Sequence, residues 1–222
     1  RGRQSALSPM VSATPLPSPR EPVFVFPTDG AATARLLDGH LLKGKLHGKV
    51  AVDGAELVIP PNSKVTVPFD DSMSVRRRFS VECRVLIRDL AQMPVLLACG
   101  NFAQNGWFLQ AFNGRWRWHL AGTSCDGGNV RTGTWVHVIA TYDKEHAMIY
   151  QDGKRVARVP CPATLNEYKG PLIIGQYTRP GEAYQVIGRV ADVRIYHRAL
   201  PPQEIAVRAA ISHRSVSPRN GT

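Results

Sequence analysis

The segment 107–120 constrains the fold more than any other stretch of the chain. At its centre, Asn113-Gly114 is a two-residue hairpin signal, because both central residues must adopt positive φ. A turn of that kind sets a register in which Phe112 faces Arg115, Ala111 faces Trp116, Leu109 faces Trp118 and Trp107 faces Leu120. Side chains alternate across a strand, so Trp107, Leu109, Ala111, Trp116, Trp118 and Leu120 share one face. That set is wholly apolar and belongs in a core. The opposite face carries Phe108, Gln110, Phe112, Arg115, Arg117 and His119, a mixture of aromatics and bases that reads as a contact surface. The register also argues against these tryptophans forming an exposed sugar-stacking platform, because only a one-residue slip would turn them outward.

The same alternation of short apolar runs and turn residues continues on both sides. Strands are expected over 48–53, 56–59, 64–67, 78–88, 94–100, 106–112, 115–121, 134–142, 146–151, 154–159, 171–176 and 186–196. Asp152-Gly153 is a second two-residue turn, and residues 143–146 form a looser third. Leu200-Pro201-Pro202 starts a short helix, since prolines lack an N–H that the first helical turn leaves unused. The pattern predicts an all-β, antiparallel two-sheet sandwich with one short C-terminal helix. Val23-Phe24-Val25-Phe26 reads as an extra strand or as an anchor inserted into a neighbour, and the anchor is favoured. Cys83 and Cys99 fall on buried alternations and read as small core hydrophobes. Cys125 and Cys161 lie near loops and would pair in an oxidising compartment; free thiols are favoured.

Several of these segments carry a resemblance. Trp135-Val136-His137-Val138-Ile139-Ala140-Thr141-Tyr142-Asp143 resembles the WHHVAxTYD strand of laminin-G-like domains, and Ile149-Tyr150-Gln151-Asp152-Gly153-Lys154 resembles the hairpin that follows it. Leu172-Ile173-Ile174-Gly175 is similar to the next strand. The run Gly188–Leu200 is similar to the closing GxIDDVRIYNRAL strand, and Phe79–Val85 is similar to an early one. The resemblance to the laminin-G-like, concanavalin A-like lectin/glucanase family covers roughly residues 40–209. It implies a jelly-roll sandwich serving as an adhesion, carbohydrate-binding or protein-binding module, in some members with calcium. The chain departs from the pattern at Val136, Gln151 and Ala191. Asp126, Asp143, Asp152 and Asp192 are scattered, whereas calcium needs six to eight converging oxygens, so no metal site and no cofactor is expected.

Catalysis on such a fold uses two carboxyls about 5–5.5 Å apart on one strand face. The glutamates stand at 21, 56, 82, 145, 167, 182 and 204, and none begins an ExDxxE strand. Asp70-Asp71 reads as a turn, and His137 as a structural histidine in mid-strand. There is no GxSxG, HExxH or phosphate-cradling loop. The chain is therefore expected to be non-catalytic.

Charge supplies the remaining clue. Across 222 residues, 28 basic side chains outnumber 17 acidic ones, giving a net charge of +11, which favours acidic partners. Arg76, Arg77 and Arg78 stand together before the Phe79 strand; they grip phosphates or an acidic surface, or else keep an edge solvated. Residues 1–39 read as an extended Pro/Ser/Arg-rich segment, 40–209 as the domain and 210–222 as a basic tail. Arg1, Arg3, Arg20, Arg214 and Arg219 are expected to contact neighbours. The basic, serine-rich, acid-poor start resembles what remains near a mitochondrial transit peptide. The expectation is a structural subunit of a large intracellular assembly, docking to ribosomal RNA in a mitochondrial ribosome or to tubulin in an axoneme. Mitochondrial placement is favoured and the flagellum is the alternative. A secreted or cell-surface carbohydrate-binding module is the second hypothesis; it predicts exposed aromatics on one sheet and a Cys125–Cys161 disulfide.

Overall fold

The computed structural model describes residues 21–27, 31–75, 77–90, 92–120, 122–162 and 164–214. Its strands are β1 (Phe24–Phe26), β2 (Thr33–Leu36), β3 (Leu41–Lys43), β4 (Lys45–His47), β5 (Ala51–Asp53), β6 (Glu56–Ile59), β7 (Lys64–Val67), β8 (Phe79–Leu90), β9 (Val95–Asn101), β10 (Asn105–Phe112), β11 (Arg115–Leu120), β12 (Thr123–Gly127), β13 (Trp135–Tyr142), β14 (His146–Gln151), β15 (Lys154–Pro160), β16 (Leu172–Ile174) and β17 (Val186–Tyr196). One helix, α1 (Pro202–Arg214), follows. The named strand pairs are all antiparallel, and they build two sheets. The larger runs β15-β14-β13-β8-β17-β1-β2-β3, with β6 and then β5 branching from β17. The smaller runs β12-β11-β10-β9-β16-β7-β4. This is the antiparallel two-sheet sandwich that the alternation predicted.

The β10–β11 hairpin has the register that Asn113-Gly114 dictates, with Leu109 opposite Trp118 and Trp107 opposite Leu120. Trp107, Leu109, Ala111, Trp116, Trp118 and Leu120 are all buried between the sheets. Phe79 meets Trp107, Trp118 and Tyr142 there, with ring centroids 6.2, 5.5 and 6.0 Å away. Helix α1 lies against the outer face of the larger sheet, where Ile205 packs with Ile139, Tyr150, Tyr196 and Leu200.

Two expectations are corrected. Residues 23–26 are not an anchor for a neighbour: β1 lies inside the larger sheet, with Phe24 opposite Ile195 and Phe26 opposite Val193. β6 covers β17 only from Gly188 to Ala191, so the second half of that long strand needs another partner. Phe24 and Phe26 then enter the core together, both fully buried. The sandwich accordingly includes β1 and β2 within the segment expected to be extended, and α1 continues past residue 209 to Arg214.

Candidate binding surface

The outer face of β10–β11 is not the open surface the sequence suggested. Phe108, Gln110 and His119 are 3%, 6% and 2% exposed. The turn after β9 folds back over them. Phe102 stacks on His119 at 4.5 Å, and His119 stacks on Phe108 at 4.7 Å. Tyr177 and Tyr184, from the segment after β16, complete this small outer cluster. Tyr177 also accepts the Phe102 N–H through its hydroxyl, at 2.6 Å. The covering groups come from the β9–β10 turn and from a loop distant in sequence, so strand alternation could not reveal them. Arg117 is committed too: its guanidinium forms a bidentate pair with Asp126 at 2.7 and 2.5 Å and lies 3.8 Å over the Phe112 ring. Arg115 alone of the six is exposed; Phe112 and Arg117 are half-buried.

The structure places the arginines preceding β8 elsewhere. Arg76 lies outside the described residues, while Arg77 and Arg78 are exposed. Phe79 pairs with Tyr142, which brings Arg78 beside the turn that follows β13. The Arg78 Nε donates to the Asp143 carbonyl at 3.1 Å. Within that turn the Asp143 carboxylate accepts the N–H groups of Glu145 and His146 at 2.9 and 2.7 Å. Burial works against the charged form of Asp143, but these N–H groups, His146 and Arg158 outweigh it and hold its carboxyl below the usual range.

Next to the turn is β15, an edge strand. Its register against β14 shifts between Ile149 and Tyr150, so that Tyr150 faces Arg155 while Met148 faces Arg158. Residues three apart on a regular strand point to opposite faces. The bulge at Val156 absorbs one residue, and Arg155 and Arg158 therefore share the outer face with Met148 and Tyr150. The Arg158 guanidinium donates to His146 Nδ1 at 3.2 Å. Arg78, Lys144 and Arg158 are thus exposed cations at this turn, with Arg77 next to Arg78 in the chain, Asp143 and Glu145 the acids among them, and Arg155 further along the same outer face, opposite Tyr150. Sequence reasoning missed Lys144, Arg155 and Arg158, because only the bulge puts the two arginines on one side.

This patch and the Arg115–Arg117 pair lie on opposite outer faces of the sandwich and form no common footprint. Arg1, Arg3, Arg20 and Arg219 lie outside the described residues. Arg214 is the last residue of α1, and its side chain is not among those described.

The acids are largely taken up in structural pairs. Glu82, 2% exposed, accepts from His137 Nε2 at 2.8 Å and from the Tyr196 hydroxyl, with Arg194 and Arg208 each 3.5 Å away. His137 is therefore a structural partner, as expected. Burial disfavours the Glu82 carboxylate, yet His137, Arg194 and Tyr196 overcome it and keep its pKa low. Asp192 holds Arg84 and Arg194, Glu56 bridges Arg84 and Arg189, and Glu204 joins Arg198 to Arg208. Asp152 occupies its turn at φ +49° and accepts from Arg131 at 2.7 Å. Among the described residues, no three His, Cys, Asp or Glu side chains are grouped to hold a metal ion. The four cysteines are buried free thiols, and burial pushes those of Cys99 and Cys125 up to about 12. No helix among the described residues is long and apolar enough to cross a membrane.

Comparison with known proteins agrees with this architecture. A family model described as the concanavalin A-like lectin/glucanases superfamily matches residues 61–206. A search of curated proteins finds no match. Among solved structures, the binding domain of Paraclostridial Mosquitocidal Protein 1 is similar with a TM-score of 0.70 at 16% identity, covering 87% of this chain and 53% of that one. The receptor binding domain of botulinum neurotoxin C/D mosaic serotype gives 0.66 at 12%, covering 87% and 52%. The botulinum neurotoxin serotype D ligand binding domain, solved with N-acetylneuraminic acid, gives 0.67 at 12%, covering 85% and 50%. The chain spans about half the length of these structures, and at such identities the likeness is one of fold.

Proposed function

The chain belongs to the concanavalin A-like lectin/glucanases superfamily, and on that premise we propose that it is a non-catalytic binding module whose β14–β15 face docks to an acidic macromolecule inside a large intracellular assembly. Ribosomal RNA in a mitochondrial ribosome is the favoured partner and axonemal tubulin the alternative. One observation carries the reading: the bulge in β15 sets Arg155 and Arg158 on one outer face of the larger sheet, the face whose turn at 143–146 holds Arg78 and Lys144. Guanidinium groups suit planar, bidentate contacts to phosphate or carboxylate, and the net charge of +11 adds long-range attraction. Native co-purification at low salt tests it. Nuclease-sensitive association supports RNA, and co-sedimentation with microtubules supports tubulin. If neither partner is retained, the proposal fails.

A second reading follows from a relative. The serotype D domain binds N-acetylneuraminic acid, an anionic sugar that exposed arginines of this chain would also accept. On the β10–β11 face Phe108 and His119 are buried, but Phe102, stacked on His119, is 58% exposed, so an aromatic ring as well as charge is available there to a sugar. Sialylated glycans that bind while their desialylated counterparts do not would favour this reading over the first.

A further inference from the structure

Each sheet of a sandwich has two terminal strands, and this chain treats the two sides differently. On one side the edges close on each other: a Cβ on Gly127 of β12 would lie 2.5 Å from the Val156 carbonyl of β15. On the other side a single run, residues 41–47, is the edge of both sheets. Among the described residues β3 pairs only with β2 and β4 only with β7, and Gly44 carries the chain from one sheet to the other.

Among the described residues, part of the backbone of this run has no strand partner. Leu36 N–H donates to the His40 carbonyl at 2.9 Å, and Gly44 N–H donates to the Ala32 carbonyl at 2.7 Å. Ladder bonds alternate along an antiparallel pair, so His40, Leu42 and Gly44 turn their backbone groups to β2. Leu41 and Lys43 therefore point theirs outward. An edge of this kind is a template for another strand. Its side chains are selective. Leu41 is 58% exposed and Leu46 38%, one near each end of the run. His40, Lys43, Lys45 and Lys49 are exposed, and among the described residues the three lysines make no ion pair. The one acid close by in sequence, Asp38, accepts the His40 N–H at 2.9 Å. Beyond β4 lies a cleft of about 320 Å³ whose lining includes His47, Ser63, Lys64, Gln176 and Gln185, polar groups suited to a guest side chain.

We propose that residues 41–47 form a strand-addition site for an extended acidic segment of a partner protein. Main-chain bonds give such a complex its affinity, and alternating side chains give it selectivity. The lysines admit carboxylates and repel a second copy of this chain, whose own edge would set Lys43 and Lys45 against like charges. The site is separate from the β15 patch, at the opposite end of the larger sheet, and does not depend on that patch binding RNA.

The probe is a capped peptide of about eight residues alternating glutamate and valine. Its controls are the same peptide N-methylated at alternate residues and a lysine–valine version. Titration and amide hydrogen exchange are run on the intact chain. Binding should protect the outward amides of Leu41 and Lys43, and N-methylation should weaken it at least about tenfold. Lys43→Glu with Lys45→Glu should weaken it to a similar degree. Leu41→Pro removes an outward N–H while sparing the β2–β3 ladder, and should weaken it with the melting temperature held. Absence of saturable binding, protection elsewhere, or equal binding of the N-methylated peptide would overturn the proposal.

Discussion

His119 shows how much one side chain reveals about its surroundings. Its Nε2 accepts the Ala103 N–H at 3.2 Å, which leaves the ring proton on Nδ1 to be donated to the Ser124 hydroxyl at 2.9 Å. Burial, aided by Arg117, lowers its pKa to about 4. An unfolded chain protonates this histidine near its ordinary value of 6.5, so between those limits the unfolded state binds more protons. Stability contributed by His119 is thus complete above about pH 6.5 and is lost as pH falls toward about 4. NMR titration should place the ring's midpoint near pH 4, and His119→Phe should flatten the stability slope in that window. A midpoint near 6.5 would contradict the burial. Gly127 makes a second prediction at this scale. The approach of its Cα to the β15 backbone leaves no room for a methyl group, so Gly127→Ala should cost about 1–3 kcal/mol. Denaturant unfolding should show a lower midpoint with an unchanged slope.

Elements were legible where the sequence states its own partner. Asn113-Gly114 fixed the β10–β11 pairing because a two-residue turn leaves one register and the Trp/Leu alternation chooses the same one. β2 to β4 were not legible and β1 was read as a strand only as the lesser alternative: three or four residues carry too little periodicity, and β17 and β7, the partners of β1 and β4, come later in the chain. The patch on β15 hid for a related reason. Arg155 and Arg158 read as opposite faces until the shift at Val156 is seen. Helix α1 was legible from its prolines, yet its role depends on what it covers. Ile205 is fully buried against Tyr150 and Tyr196. Ile205→Ala should cost about 2–5 kcal/mol, read by thermal or denaturant unfolding. A loss under 1 kcal/mol, about the size of a surface substitution, would show that α1 is only loosely docked.

The whole molecule separates its functions by face. One outer face of the smaller sheet is filled by the protein's own aromatics. One outer face of the larger sheet carries α1 beside the β14–β15 cations. The shared edge at residues 41–47 has no further strand partner among the described residues. The central claim is that the cations beside α1, and not Arg115, meet an acidic partner. The most direct test is binding of a labelled single-stranded RNA as salt is raised from about 50 to 200 mM. It is run on the natural chain, on Arg155→Glu with Arg158→Glu, and on Arg115→Glu. Affinity should fall steeply with salt in the natural chain. The double variant should bind more weakly, with a slope shallower by at least about 1.4, the share of two phosphate contacts on a single strand; Arg115→Glu should leave the slope unchanged. Salt-insensitive binding, or a double variant with the natural slope, would contradict the account.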